Sequence, residues 1–314
     1  MKIKKIGVLT SGGDAPGMNS AIFGLYSACK ENNITLLGFI GGYDGLIDNK
    51  FVEIDFELIN SKMNVGGSLL KSSRSPRFLK KNFFNKALNN IKANKLDALI
   101  IIGGDGTIRG AIELRDAGVK VITLPGTIDN DLNFSYTIGF NTALNNIVDA
   151  VDKISDCLSS FDYGGVIKIM GRECDDLINA AALALHTDLI VKRSDFDLNA
   201  LVKKIKKTHD NEHLPTVVLV REDCVDCNEL AKTLQEKCKF QFRPHILGYI
   251  QRGGKPSAFD RSYGFSAGML TIDYILKNEH GFTLGMQGTE IIKKSFEETI
   301  KNYKTLDIVL NYLL

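Results

Sequence analysis

Thr127, Asp129 and Asp131 stand at alternate positions in PGTIDNDL (125–132), directly after the apolar run VKVITL (119–124). Alternate side chains of an extended backbone share one face. Two carboxylates placed so repel each other unless a proton, a cation or a nest of N–H donors comes between them. Taken alone, the octapeptide favours a plain turn, because Asx side chains bond their own backbone.

Other strings give the octapeptide company. TSGGDAPGMN (10–19) sets Gly12 and Gly13 just before an expected helix. Glycine lets the backbone approach a phosphate, and the free N–H groups and dipole of a helix start favour an anion. GGDGT (103–107) repeats this with Gly103, Gly104, Gly106 and Thr107, and adds Asp105. A carboxylate beside a glycine-lined phosphate loop suits Mg²⁺, directly or through water. KSSRSPRF (71–78) offers Arg74 and Arg77, and arginine spreads the charge of a transferring phosphoryl group. MGRE (170–173), VRED (220–223), FRPH (242–245) and IQRGG (250–254) add Arg172, Glu222, Arg243 and Arg252. Such arginines fit an anionic small substrate. Each string also has a plainer structural reading, as a tight βα turn, a solvated arginine or a loop salt bridge. The chain has no G-x-x-x-x-G-K-[ST] string and no protein-kinase motif set, so phosphoryl transfer on another scaffold is the leading idea.

These loops need elements to hold them. Unalternating apolar runs predict buried strands at IGVLT (6–10), ITLLGFI (34–40), DALIII (97–102), VKVITL (119–124), GVIKIM (165–170), TVVLV (216–220) and HILGYI (245–250). Helical patterns lie between them. One covers 17–30, with Asp14 before it and Pro16 near its first turn. Another covers 83–94, with Phe84, Leu88 and Ile91 on one face. Others cover 107–117, closed by Gly118, and 140–158, 175–185, 197–207, 228–237 and 259–277. Strand and helix in alternation predict a doubly wound α/β fold, whose ligands bind beyond the carboxyl ends of the strands. Most of the candidate strings directly follow an expected strand.

Composition narrows the partners. The 314 residues are 44% hydrophobic and 24% charged, with net charge +2. That is an ordinary globular composition with no electrostatic signature for nucleic acid or a membrane surface. The six cysteines show no framework spacing. Cys224 and Cys227 form one C-x-x-C without the second pair or histidines that zinc requires. No apolar stretch approaches a membrane span, and the N-terminal apolar run is too short for a signal peptide. We expect a cytoplasmic protein with reduced thiols.

Together KKIGVLTSGGDAPGMN (4–19), IIGGDGT (101–107), LPGTIDND (124–131), IMGR (169–172) and LGYIQRGG (247–254) resemble the ATP-dependent 6-phosphofructokinases of bacterial type. GGDGT is also shared with NAD kinases and lipid kinases, so order and spacing of all five carry the resemblance. It implies two α/β domains of phosphofructokinase type. The nucleotide domain would take 1–138 plus 251–302, and the sugar-phosphate domain 139–250 plus 303–314. It implies that Asp129 is the general base toward the sugar 1-hydroxyl, with Thr127 and Asp131 lining the same site. Asp105 would serve Mg²⁺, and Gly12 with the 103–107 loop would cradle ATP. Arg74 and Arg172 would hold the phosphoryl charge. Met170, Gly171, Arg172, Glu222, Arg243, Tyr249 and Arg252 match positions that bind fructose 6-phosphate. Pyrophosphate-dependent relatives carry a bulkier acidic residue at the Gly106 position and a lysine at the Gly126 position, so the donor expected here is ATP. Family members are commonly homotetramers, with Arg243 acting across a subunit boundary.

The chain departs from the pattern at several positions. Tyr163 stands where an arginine reaches the 6-phosphate across a subunit boundary, Tyr249 where a histidine is expected, and Ile40 where a tyrosine lies near adenine. Losing a charge-assisted hydrogen bond costs about 1.5–3 kcal/mol, so fructose 6-phosphate binding is expected to be weak unless a group such as Lys168 compensates. Phe23, Ser27 and Ser155 replace effector-site arginines, THDNEHLP (208–215) has no lysine, and Asp188 alone keeps a carboxylate. No response to ADP or phosphoenolpyruvate is expected. A second reading makes the chain a weakly active subunit of a hetero-oligomer with a related chain. A third gives it a different phosphosugar acceptor.

Overall fold

The computed structural model describes residues 3–212 and 216–301. The described residues form two compact units, 3–142 with 252–301, and 143–251. The 303–314 portion expected in the second domain lies outside the described residues, as do 213–215 of the 208–215 loop.

In chain order the strands are β1 (Lys5–Thr10), β2 (Thr35–Phe39), β3 (Phe51–Glu53), β4 (Ala98–Gly103), β5 (Val121–Thr127), β6 (Ile138–Gly139), β7 (Gly164–Ile169), β8 (Ile190–Val191), β9 (Val217–Arg221), β10 (Phe242–Ile246), β11 (Phe282–Gln287) and β12 (Glu290–Ser295). The first unit holds one sheet in the order β12-β11-β5-β4-β1-β2-β3, with β6 paired to β5. Its centre is parallel and its two edges are antiparallel. The apolar runs of β1, β4 and β5 are almost wholly buried, as strands covered on both faces must be. The chain leaves β1 toward β2 and later returns to lay β4 on the other side of β1. The switch point of the sheet therefore lies between β1 and β4, where α/β proteins place their ligands.

The second unit has a wholly parallel sheet in the order β10-β7-β9-β8. Helices Leu198–Glu212 and Cys227–Cys238 contribute Leu201, Ile205 and Leu234 to a core with Val166, Val191 and Val220. Its switch point lies between β7 and β10.

The fold is α/β with parallel sheets, as the alternation of runs predicts, and two expectations about its elements need correction. HILGYI (245–250) is not a buried strand. The strand β10 comes earlier, and Gly248–Gln251 form a 3-10 turn. Gly248, at φ +51°, breaks the extended backbone. As an edge strand β10 tolerates Pro244, and Ile246, Tyr249 and Ile250 stay 63%, 74% and 66% exposed. Asp14 does not cap the first helix, Met18–Glu31, whose N-cap is Gly17. The Asp14 carboxylate instead accepts from Ser68 N at 3.0 Å. The hairpin β11–β12 was absent from the expected strands, although its Gly288-Thr289 turn is a hairpin signal.

Helix Met18–Glu31 packs on helix Ala258–Leu276 through glycine. A Cβ on Gly24 would lie 2.1 Å from Phe265 O, and one on Gly268 would lie 2.3 Å from Ala21 O. That close approach stiffens the element behind the β1 loop.

Candidate active site

The loops after β1 and β4 meet at the switch point of the first unit. Ser11 N donates to Ile102 O at 3.0 Å, and Thr107 Oγ1 donates to Ser11 O at 3.1 Å. A Cβ on Gly103 would lie 2.4 Å from Ser11 O, so only glycine fits there. Gly12 sits at φ +86°, a conformation glycine adopts without strain. Gly104 begins helix Asp105–Asp116, whose N-terminal amides and dipole favour an anion. Tyr43 donates its hydroxyl to Thr107 O at 2.7 Å from a buried position and fixes the first turn of this helix.

Asp105 suits a cation. Its Oδ2 pairs with Arg109 Nε at 3.1 Å, while its Oδ1 is buried with no hydrogen-bond partner. Among the described residues no group of three or more His, Cys, Asp or Glu could hold a metal. The fit is to Mg²⁺, which takes one or two carboxylates and completes its shell with phosphates and water.

Beside these loops, β5 ends at Thr127. The expected extended alternation of Thr127, Asp129 and Asp131 stops there, because Asn130 turns the chain at φ +55°. The turn and the site are compatible. Asp129 N donates to Thr127 Oγ1 at 3.1 Å, and Thr137 Oγ1 donates to Thr127 O at 2.6 Å. Asn130 is the hub, accepting from Thr137 N at 2.9 Å and donating to Ser135 O at 3.3 Å. Asp129 is only 6% exposed. The turn thus holds a buried carboxylate at the end of β5, next to the glycine loop that ends β4.

The structure separates the two arginines of 71–78. Arg77 pairs with Asp48 at 2.7 Å and Asp44 at 3.3 Å and lies over the Phe83 ring. Arg74 is exposed and makes no ion pair among the described residues. The segment is tied to the β1 loop, with Gly12 N donating to Ser73 O at 3.1 Å and Ser72 Oγ to Gly12 O at 3.0 Å. Arg252 also belongs to this unit and donates to Asp14 O at 3.4 Å.

In the second unit, Met170, Gly171 and Arg172 leave the end of β7. The Glu222 carboxylate, at the end of β9, accepts from Gly171 N at 3.1 Å and Arg172 N at 2.9 Å. Arg172 sits at φ +48°, and these two bonds stabilise that conformation. Sequence reasoning missed Gln251, which is 1% exposed. Its Oε1 accepts from Met170 N at 2.9 Å and its Nε2 donates to Gly248 O at 3.2 Å. A glutamine next to Arg252 in a glycine-rich string was the available signal. Arg243 donates to Gln241 Oε1 at 2.9 Å and lies 5.0 Å over the Tyr163 ring. Tyr249 is exposed, and Lys168 lies near Asp226 and Cys227. The C-x-x-C cysteines are free thiols, and buried Cys227 donates to Val166 O.

The first unit is an α/β scaffold that gathers glycine loops and carboxylates at one topological switch point, a place suited to phosphate. The phosphofructokinase family model matches residues 5–275, and the chain belongs to that family. Its members are phosphotransferases. The structure is similar to Pichia pastoris phosphofructokinase in the T-state, with 26% identity and TM-score 0.89, covering 100% of this chain and 37% of that one. It is similar to Saccharomyces cerevisiae phosphofructokinase, with 26% identity and TM-score 0.86, covering 99% and 47%. This chain thus spans less than half the length of either yeast chain. The pyrophosphate-dependent phosphofructokinase of Nitrosospira multiformis shares the fold, with 15% identity and TM-score 0.88, covering 99% and 91%.

Proposed function

We propose that the chain transfers the γ-phosphoryl group of Mg-ATP to the 1-hydroxyl of fructose 6-phosphate. The observation that supports it most is the placement, after the adjacent strands β4 and β5, of an Asp105 oxygen with no hydrogen-bond partner and of the buried Asp129. Mg²⁺ on Asp105 would neutralise the phosphates. Asp129 would take the hydroxyl proton, since a primary alcohol attacks poorly until a placed base removes it. Thr127 and Asp131 would complete that wall. Gly12, Gly103, Gly104, Gly106 and Thr107 would cradle the nucleotide, and Arg74 would hold the phosphoryl charge. The reading draws its donor residues from the first unit. From the second it draws Met170, Gly171, Arg172, Glu222, Arg243 and Tyr249.

ATP is favoured over pyrophosphate at Gly106, where a Cβ would meet nothing within 4 Å. That space is left for a nucleoside phosphate. Recognition of the 6-phosphate is the weak point. The Tyr163 ring holds Arg243 where the family pattern has a second cation. Tyr163→Arg is expected to lower the KM for fructose 6-phosphate by about 10-fold or more. Steady-state kinetics checks this, and an unchanged KM counts against fructose 6-phosphate as the acceptor.

Regulation by ADP or phosphoenolpyruvate is absent in this reading. Phe23 packs on Phe265 with ring centres 5.4 Å apart, Ser27 Oγ donates to Phe23 O at 2.9 Å, and Asp188 pairs with Lys204 at 2.9 Å. None of these side chains offers a phosphate a free cation. Saturating ADP is expected to give no activation at saturating substrate, and clear activation would refute the prediction.

The assembly we propose is an oligomer, a homotetramer or a hetero-oligomer with a related chain. The Tyr163–Arg243 contact favours keeping the second form, because a related chain carrying the missing arginine would complete the 6-phosphate site. No helix among the described residues is long and apolar enough to cross a membrane, and a cytoplasmic location goes with the proposed role.

A further inference from the structure

The family resemblance assigns no role to Arg77. The segment 72–78 is anchored at both ends and bare in the middle. On one side Ser72 and Ser73 are bonded to Gly12, and Ser73 Oγ donates to Gly41 O at 2.7 Å. On the other side Ser75 Oγ donates to Asp44 Oδ1 at 2.7 Å. The Arg77 guanidinium forks onto Asp48, with Nη2 at 2.7 Å from Oδ1 and Nη1 at 3.2 Å from Oδ2. Its Nε faces Asp44 at 3.3 Å and its plane covers the Phe83 ring at 4.9 Å. Next to it, Phe78 stacks on Tyr43 at 4.0 Å, and Tyr43 in turn holds Thr107 O. Arg74 lies between the two anchors.

We propose that Arg77 is a positioning residue that sets the bearing of Arg74 toward the terminal phosphate of the nucleotide. The inference rests on the proposed role of Arg74. Exposed ion pairs add little to stability, so a merely structural Arg77 would change little when removed. A forked arginine between two carboxylates instead restricts geometry, which lysine cannot reproduce. A displacement of about 1 Å at a phosphoryl ligand is enough to cost two orders of magnitude in rate.

The test is calorimetric binding of Mg-ATP and Mg-ADP to wild type, Arg74→Ala, Arg77→Ala, Arg77→Lys and the Arg74→Ala/Arg77→Ala double variant. Arg74 acts on the terminal phosphate, so the readout is the preference for ATP over ADP. Arg77→Ala should lose that preference as fully as Arg74→Ala, by on the order of 10-fold, with ADP affinity unchanged. Arg77→Lys should lie between. The double variant should equal Arg74→Ala alone, since coupled residues are not additive. A wild-type preference in Arg77→Ala, an additive double variant, or a wild type that does not distinguish ATP from ADP would overturn the inference. A wild type that binds Mg-ATP with this preference but turns over no fructose 6-phosphate would refute the proposed function and leave the Arg77 result intact.

Discussion

Asp129→Asn is expected to lower kcat by about 10²- to 10⁴-fold, the usual worth of a positioned general base. Asparagine has the same shape but cannot take the proton of the sugar hydroxyl. The turn that holds residue 129 draws on its backbone and on a neighbouring side chain. Its own backbone N–H bonds Thr127 Oγ1, and Asn130 bonds Ser135 and Thr137. Asparagine keeps the size and shape of the side chain, so the variant is expected to fold like wild type and to bind Mg-ATP. Kinetics beside a thermal melt separates chemistry from folding. A folded variant that keeps more than about a tenth of wild-type turnover falls outside the general-base range and removes Asp129 from the chemistry.

Asp260→Ala is expected to cost about 3–5 kcal/mol of stability, because it leaves buried donors without an acceptor. Asp260 has no exposed surface and accepts from Gly139 N at 2.9 Å and Thr142 N at 2.8 Å, as well as from Thr142 Oγ1. These bonds pin the segment that follows the Asp129 turn and the start of helix Phe140–Ser159. Urea unfolding measures the loss, and a change under about 1 kcal/mol would match an ordinary surface substitution. Burial raises the pKa of this carboxyl, against the lowering pull of its donors. A raised folded pKa contributes stability below the unfolded value, near 3.9, that is lost as pH rises through the folded value. Asp260 therefore does not drive acid unfolding.

The parallel centre of the fold was legible in sequence because strands buried on both faces read as nearly continuous apolar runs, as IGVLT, DALIII and VKVITL do. The glycine loops were legible because close approach and positive φ exclude other residues, as at Gly103 and Gly12. HILGYI misled because an edge strand and a 3-10 turn can expose apolar side chains in numbers that mimic a core run. Asp14 misled because a carboxylate near a helix start can bond a distant amide instead. The clasp of Arg77 on Asp44 and Asp48 was not legible. Its partners lie 29–33 residues away along the chain, and no periodicity records a contact made only by folding. Gln251 was overlooked for the same reason, since its value lies in the Met170 amide it meets.

The most direct measurement is phosphoryl transfer to fructose 6-phosphate by the purified chain. Mg-ATP and Mg-pyrophosphate would be compared over fructose 6-phosphate from micromolar to tens of millimolar, with Asp129→Asn as control. Formation of fructose 1,6-bisphosphate would be followed by phosphorus NMR. We expect turnover with Mg-ATP that saturates only at high sugar phosphate, little with pyrophosphate, and none in the variant. Turnover with pyrophosphate in place of ATP, or none with either donor in protein that binds Mg-ATP, would contradict the proposed reaction.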